Sequence, residues 1–509
     1  MIEKNTAGEP RPRRRLEHRI PTSLRQHWKL LVVFFAFVTV MATVFGSARI
    51  RPYITGDTSV IVSEITDNIA GTVDLFDSSV QHEVSLDMSD AEYDDMITTF
   101  QTTGEKKWVI ADLTIDGTFV NDVAVRLKGN STLMGVRGDD AVPGGSGFEP
   151  PAGMELPEGV EIPDDFDPAA MPGRGPGGGG GMMSSATADD PTSLPLLISF
   201  DENASGRAYQ GMTELSVRPG TPVLNEAMAL SLTGETGQPT QRYAYTVYSI
   251  NDSATATRLL LEHPDDGYAN SMFDSAGYLY KADASSRFEY IDDDQSSYSD
   301  QFKQINAVGS GTLQPIVNFL KWMDTASDEE FDEQLADWVD VDSFARYVAT
   351  QNLIVNGDDM SGPGQNYYLW YDLETEKFTI VSWDLNMAMQ GDTGAGPNDS
   401  VGMMGGAGGP GTGPGANGTD GGPQGMRAGN PLKTRFLESD AFTAAYESAY
   451  WDLFEQMYGS GRATALLDEI AATVPVTDGL TADTLQTNVD AMKAWIDQRA
   501  AALDTVRQR

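Results

Sequence analysis

One stretch constrains this chain more than any other: residues 353–387, LIVNGDDMSGPGQNYYLWYDLETEKFTIVSWDLNM. Its first residues read as a helix end, followed by a polar loop with two adjacent carboxylates, Asp358 and Asp359. Residues 367–371 (YYLWY) and 378–383 (FTIVSW) have strand composition, and the polar run between them reads as a hairpin turn. A hairpin folds its two ends back together. Asp358, Asp359 and Asn366 precede it and Asp384 follows it, so side chains 25 residues apart can converge on one ion. The same pattern also describes an acidic, solvated turn.

The layout is that of kinase-type phosphoryl transfer, in which a loop Asp orients the nucleophile while an Asn and a later Asp hold magnesium against the phosphates. On this spacing Asp359, or its neighbour Asp358, is the candidate catalytic residue. Asp384 and Asn366 are the candidate metal ligands. Magnesium requires hard oxygen donors, and more than one of them, because it must neutralise charge on the leaving phosphates. Gly362-Pro363-Gly364 lengthens the step from Asp359 to Asn366, which leaves the choice between the two aspartates open.

The chain has 509 residues, enough for two or three domains or one large bilobal one. It has no Cys, which excludes disulfides, zinc–thiolate sites and Cys nucleophiles. Its four His are His18, His27, His82 and His263, which argues against a His-rich metal cage. Residues 30–48 (LLVVFFAFVTVMATVFGSA) are 19 uncharged residues between Lys29 and Arg49. As a helix they span about 28 Å, the thickness of a bilayer's hydrocarbon core. Residues 1–29 are basic, which places that end in the cytoplasm and the rest of the chain outside. A cleaved signal peptide is the competing reading, disfavoured by the long leader and long apolar run. Residues 1–51 hold 10 of the 34 Lys and Arg and three acids, leaving 24 bases against 72 acids beyond. Such a surface repels nucleic acid and anionic lipid. It also keeps an exposed protein soluble.

Beyond a juxtamembrane stretch at 49–80, folded character begins near Glu83. Ser89 caps a helix, residues 107–115 and 123–128 pair across Asp116-Gly117, and the second strand runs into Gly129-Asn130-Ser131-Thr132. That turn either presents N–H groups to a phosphate or is an ordinary turn. Residues 139–192 and 391–430 are Gly-, Pro- and Met-rich inserts that cannot bury a core and read as disordered. Between them come strands at 194–200 and 212–218, then a helix entered through Thr221-Pro222. A hairpin crosses Asn251-Asp252, and a short strand ends in Lys281. From Thr312 the spacing is helical, as is that of residues 441–503. Strands dominate the first half and helices the second, with the acidic hairpin among the helices. The fold class is α+β and two-lobed, with a ligand cleft between the lobes.

The words RLKGNS (126–131), LLISFD (196–201), NYYL (366–369) and SWDLN (382–386) occur in that order. They resemble the CotH kinase family over residues 81–505, apart from the inserts. The resemblance implies an atypical, surface-facing protein-kinase-like fold that binds ATP with Mg2+. Asp359 or Asp358 resembles its catalytic-loop Asp, Asp384 its metal-binding Asp, and Asn366 a second metal ligand. The chain departs from the family twice. Asn386 stands where a second carboxylate is usual, and residues 193–195 are SLP where a basic residue is common. The phosphate-contacting cation then falls to Lys128, Lys281 or Arg126, although Lys281 could equally be a surface lysine.

Two functions follow. One is a membrane-anchored extracytoplasmic kinase that phosphorylates Ser or Thr of a surface or envelope protein. The other is a degenerate kinase-fold surface protein, an adhesin or envelope scaffold.

Overall fold

The computed structural model describes residues 65–129, 131–137, 186–307, 311–401 and 429–508. The basic leader, the apolar run at 30–48, most of the juxtamembrane stretch and the bodies of both Gly-rich segments lie outside those residues. Among the described residues, no helix is long and apolar enough to cross a membrane.

The first elements are β1 (Asp67–Ile69), β2 (His82–Asp87), α1 (Asp90–Thr103), β3 (Val109–Ile115) and β4 (Thr118–Leu127). Ser89 caps α1 by accepting the Glu92 N–H, and Gly104 closes it in the left-handed conformation. Residues of β3 alternate between buried and outward-facing positions. Asp116 and Gly117, both at positive φ, turn the chain back into β4, as a tight right-twisted hairpin requires.

Next come β5 (Leu196–Ser199), β6 (Arg207–Tyr209), β7 (Glu214–Val217), α2 (Leu224–Glu235), β8 (Tyr243–Ile250) and β9 (Ala256–Glu262). Seven strands close into a barrel in the order β2-β3-β4-β5-β7-β9-β8, and β8 returns to β2 in parallel. Val84, Leu113, Val125, Ile198, Leu215 and Leu260 fill it. The helix expected from Thr221-Pro222 starts instead at Leu224, with Val223 at its cap and no side-chain cap bond. Residues 186–193, inside or next to the first insert, pack on this barrel. Ala186 and Thr192 are buried, and Arg258 Nε donates to the Thr192 carbonyl at 2.5 Å.

The chain continues through α3 (Asp266–Met272), β10 (Gly277–Ala282), β11 (Phe302–Gln304), α4 (Gln314–Thr325), α5 (Asp328–Trp338) and α6 (Val341–Leu353). The acidic hairpin is β12 (Tyr367–Asp372) and β13 (Phe378–Ser382). It is not isolated among helices. Its first strand pairs with β10, giving a sheet in the order β11-β10-β12-β13. One strand of alternating residues has two faces to bury, and this sheet covers both. Leu279, Tyr368, Trp370, Val381 and Trp383 form a small cluster on one side. Tyr280, Tyr367, Leu369 and Ile380 join the large helical core on the other.

That helical core is completed by α7 (Pro431–Glu438), α8 (Asp440–Phe454), α9 (Arg462–Thr473) and α10 (Ala482–Arg507). Arg499 on α10 is fully buried. Its guanidinium donates to the carbonyls of Asn352 (2.9 Å), Leu353 (3.2 Å) and Thr393 (3.0 Å), and to that of Ala395. It thereby ties the end of α6 to the segment that follows Asp384. Arg499→Met strands four carbonyl acceptors, three of them buried. We expect it to lower stability by about 3 kcal/mol or more in a urea melt and to speed amide exchange around Ala395.

Candidate active site

The two flanks of the hairpin are joined by a buried amide. Gln351, near the end of α6, donates from Nε2 to Ser382 Oγ (2.9 Å) and accepts from Asn356 Nδ2 at Oε1 (2.8 Å). Asn356 stands two residues before Asp358, and Ser382 two before Asp384. Both connecting segments pass through left-handed backbone, at Val355 (φ 51°) and Asp384 (φ 53°). For a β-branched residue such as Val355 this is a strained conformation, of the kind that concentrates at functional sites.

The structure separates the two adjacent aspartates. Asp359 is buried and ion-paired with Lys433 of α7, while its Oδ1 accepts the Ser361 N–H at 2.8 Å. Asp358 turns toward the loop that follows. Its Oδ1 accepts the Gly364 N–H (2.7 Å), and Asn366 Nδ2 donates to its Oδ2 (2.9 Å) and its main-chain carbonyl (3.0 Å). Burial pushes the Asp358 carboxyl up to about 6, and the charges of Asp384 and Asp359 push the same way against the two hydrogen bonds. Tyr367 pairs with Ser382, so Asn366 and Asp384 leave the same end of the hairpin, while Asp359 turns away to Lys433.

The Gly-Pro-Gly insert has a steric reason. A Cβ on Gly362 would stand 2.5 Å from the Asp358 Cα, and one on Gly364 would stand 2.6 Å from Asp358 Oδ2 and 2.8 Å from Asn366 Nδ2. Only glycine lets the loop close on Asp358.

Cations surround the far side. Arg218, just past β7, bonds Asp384 Oδ1 through Nη2 at 2.6 Å, and the same nitrogen bonds Glu226 on α2. Lys128, just past β4, bonds Ser216 Oγ and lies 3.2 Å from His263 Nδ1. The Lys128 and Lys281 ammonium groups lie 5.2 and 5.0 Å from the centroid of the Trp383 ring. His263 packs edge-on to that indole at 5.6 Å and lies 3.5 Å from Glu214. Burial lowers the Lys128 and Lys281 ammoniums; Arg218 and Lys281 lower Lys128 further, and Asp384 partly offsets both. Burial and then Lys128, Lys281, Arg126 and Arg218 keep His263 neutral well below its usual range. Arg126 stacks on Trp108 at 4.6 Å.

Lys128 and Lys281 thus both lie against the ring of Trp383, the residue before Asp384. The Gly129 turn is left-handed (φ 96°) and leads into a short 3-10 helix, Ser131–Val136; Asn130 lies outside the described residues. Arg218, Glu226, Lys433 and Trp383 were not singled out from the sequence. Of these only Trp383 carried a signal, as the residue before Asp384.

The donor set suits a magnesium ion held partly by substrate. Asp384 and the Asn366 amide oxygen are hard oxygen donors. Among the described residues no three His, Asp or Glu side chains converge as a ready-made metal site. Phosphate oxygens and water would complete the coordination, as magnesium usually requires. Gly364→Ala tests this geometry. We expect it to fold, to cost about 1–3 kcal/mol, and to weaken Mn2+ binding measured by calorimetry. Gly479→Ala, whose Cβ meets its neighbours at 3.6 Å or more, should change neither.

No curated protein matches this chain. The model of the family described as "CotH kinase protein" matches residues 198–503. That span starts within β5 and includes Arg218, Glu226, both aspartate flanks and the helical core, while RLKGNS lies ahead of it. The chain belongs to the CotH kinase family.

Proposed function

We propose that this chain is an extracytoplasmic protein kinase, anchored through residues 30–48, that transfers phosphate from ATP to Ser or Thr of a surface or envelope protein. The barrel and the helical body are the two lobes of the kinase-like domain. The observation that supports this reading is the ion pair of Arg218 with Asp384, with Lys128 and Lys281 against the adjoining Trp383 ring, in a chain of net charge −41. An acidic protein repels nucleotides over most of its surface. Here Lys128, Lys281, Arg126 and Arg218 concentrate positive charge where triphosphate would lie.

In this mechanism Asp358 accepts the proton of the acceptor hydroxyl as its oxygen attacks the terminal phosphorus, and the bond from that phosphorus to the bridging oxygen breaks to release ADP. Its elevated carboxyl value suits a base working near neutrality. Asn366 holds it in place, and Lys433 on Asp359 keeps the loop from drifting. Magnesium, when bound by Asp384 and Asn366, supplies charge neutralisation on the phosphates. Lys128 and Lys281, both against the Trp383 ring, would pair with phosphate oxygens.

A specific observation favours a second reading, a non-catalytic surface scaffold. Asp384 and Asp359 are each already paired with a cation, and Asn386 replaces a carboxylate. Purified outer domain separates the two. The kinase reading expects Mg2+-dependent ATP binding and transfer of labelled phosphate, with binding lost in Asp384→Ala. Asp358→Asn should retain ATP binding and lose about 10²–10⁴-fold in turnover. ATP binding by neither wild type nor variants supports the scaffold.

The base role also sets a pH profile. Asp358 works deprotonated, so turnover rises with pH through the acid limb and levels off above it. Bound Mg2+ would offset part of that rise, so the limb's midpoint should lie at or below about 6. A midpoint near 8 would exclude Asp358 as the base.

A further inference from the structure

Arg218 is held in an unusual way. A single nitrogen, Nη2, serves both carboxylates, Asp384 Oδ1 at 2.6 Å and Glu226 Oε1. Glu226 is fully buried, and the Arg218 side chain is 9 % exposed. Arg218 Nε and Glu226 Oε2 are buried without a hydrogen-bond partner among the described residues. A guanidinium with five donors normally grips a carboxylate in a two-pronged fork. This one bridges two acids through one corner and leaves bonding capacity unused, so it is placed to exchange one partner for another.

The charges say when it can do so. Arg218 occupies Oδ1 of Asp384 and neutralises the carboxylate that a metal would use. A bare dication approaching Asp384 meets the field of Arg218, Lys128 and Lys281, all of which act at this carboxylate. A nucleotide's phosphates reverse the balance. They add negative charge between the cations, and they offer Arg218 new acceptors while Glu226 keeps it in reach.

We infer that Arg218 keeps Asp384 closed to free divalent cations and yields it when phosphates arrive, so that metal and nucleotide bind together rather than singly. This rests on the proposed reading of the site as one for a metal nucleotide. Arg218 is in this sense a positioning residue that couples two ligands.

The test is Mn2+ binding to the full chain by calorimetry, with and without adenosine diphosphate. In wild type, the diphosphate should tighten Mn2+ about tenfold or more, the worth of a charged hydrogen bond. The charge-balanced double variant Arg218→Met/Glu226→Gln removes the guanidinium without stranding a buried carboxylate. It should bind Mn2+ alone about tenfold tighter than wild type and lose most of the diphosphate enhancement. Unchanged or weaker Mn2+ binding in that variant overturns the inference. Glu226→Gln alone should act in the opposite direction, because Arg218 then has only Asp384 to hold, and Mn2+ alone should bind more weakly. Tighter or equal Mn2+ binding there also overturns it, so the question is answered even where the double variant does not fold. The two levels separate cleanly. If wild type binds Mn2+ and diphosphate together but residue 218 has no influence, the coupling fails and the nucleotide site stands. If wild type binds neither, the nucleotide site itself falls.

Discussion

Gln351 is the side chain on which the geometry of the site depends. Its amide is 1 % exposed and spans from Asn356 to Ser382, the residues that lead into Asp358 and Asp384. In such a dry place an amide that loses one partner cannot replace it with water, so the two flanks are held to one spacing. Arg499 acts one layer further out, gripping the carbonyls at the end of α6 and those at 393–395. The hairpin of β12 and β13 then has little freedom. It is hydrogen-bonded to β10, buried on both faces, and fixed at its open end by one glutamine.

Local and global electrostatics oppose each other here. The chain as a whole carries a large negative charge, yet the neighbourhood of Trp383 gathers lysine, lysine and arginine around one aspartate. Keeping these groups charged in a partly buried site is costly, and their lowered ammonium values express that cost. A protein that needed only a stable core would place apolar side chains there. Retaining the cations makes sense for a site that receives an anion. The Trp383 indole, against which both lysines lie, is a polarisable surface for their charge.

Much of this was legible in the sequence, and the reasons differ by element. The two-residue period of VIADLTI, the Asp116-Gly117 turn and the Asn251-Asp252 turn give strands and hairpins directly, because each is a local rule satisfied within a few residues. That Asn366 and Asp384 flank one end of a hairpin was legible because strand pairing fixes the register, here Tyr367 opposite Ser382. The choice between Asp358 and Asp359 was not, since adjacent side chains in a loop point in directions set by partners elsewhere, here Gly364 and Lys433. Arg218 and Glu226 were invisible for the same reason. Arg218 meets Asp384 across a sequence separation of 166 residues, and neither flank carries a local pattern that announces the pairing. The helix start at Leu224 was misplaced because Thr-Pro is a good local entry signal, whereas the described helix takes Val223 as its cap without a side-chain bond.

The barrel's parallel seam bears on how the chain comes to be assembled. β2 pairs with β8, so that His82 lies opposite Thr246, and the ring stays open until the later strand exists. A polypeptide emerging from its amino end first exposes one naked strand border throughout that interval, with unpaired amides available to any neighbouring chain. Glu83 and Asp87, on the outward positions of β2, put like charges along that border. Like charges on an unpaired strand disfavour its pairing with a second copy of the same strand.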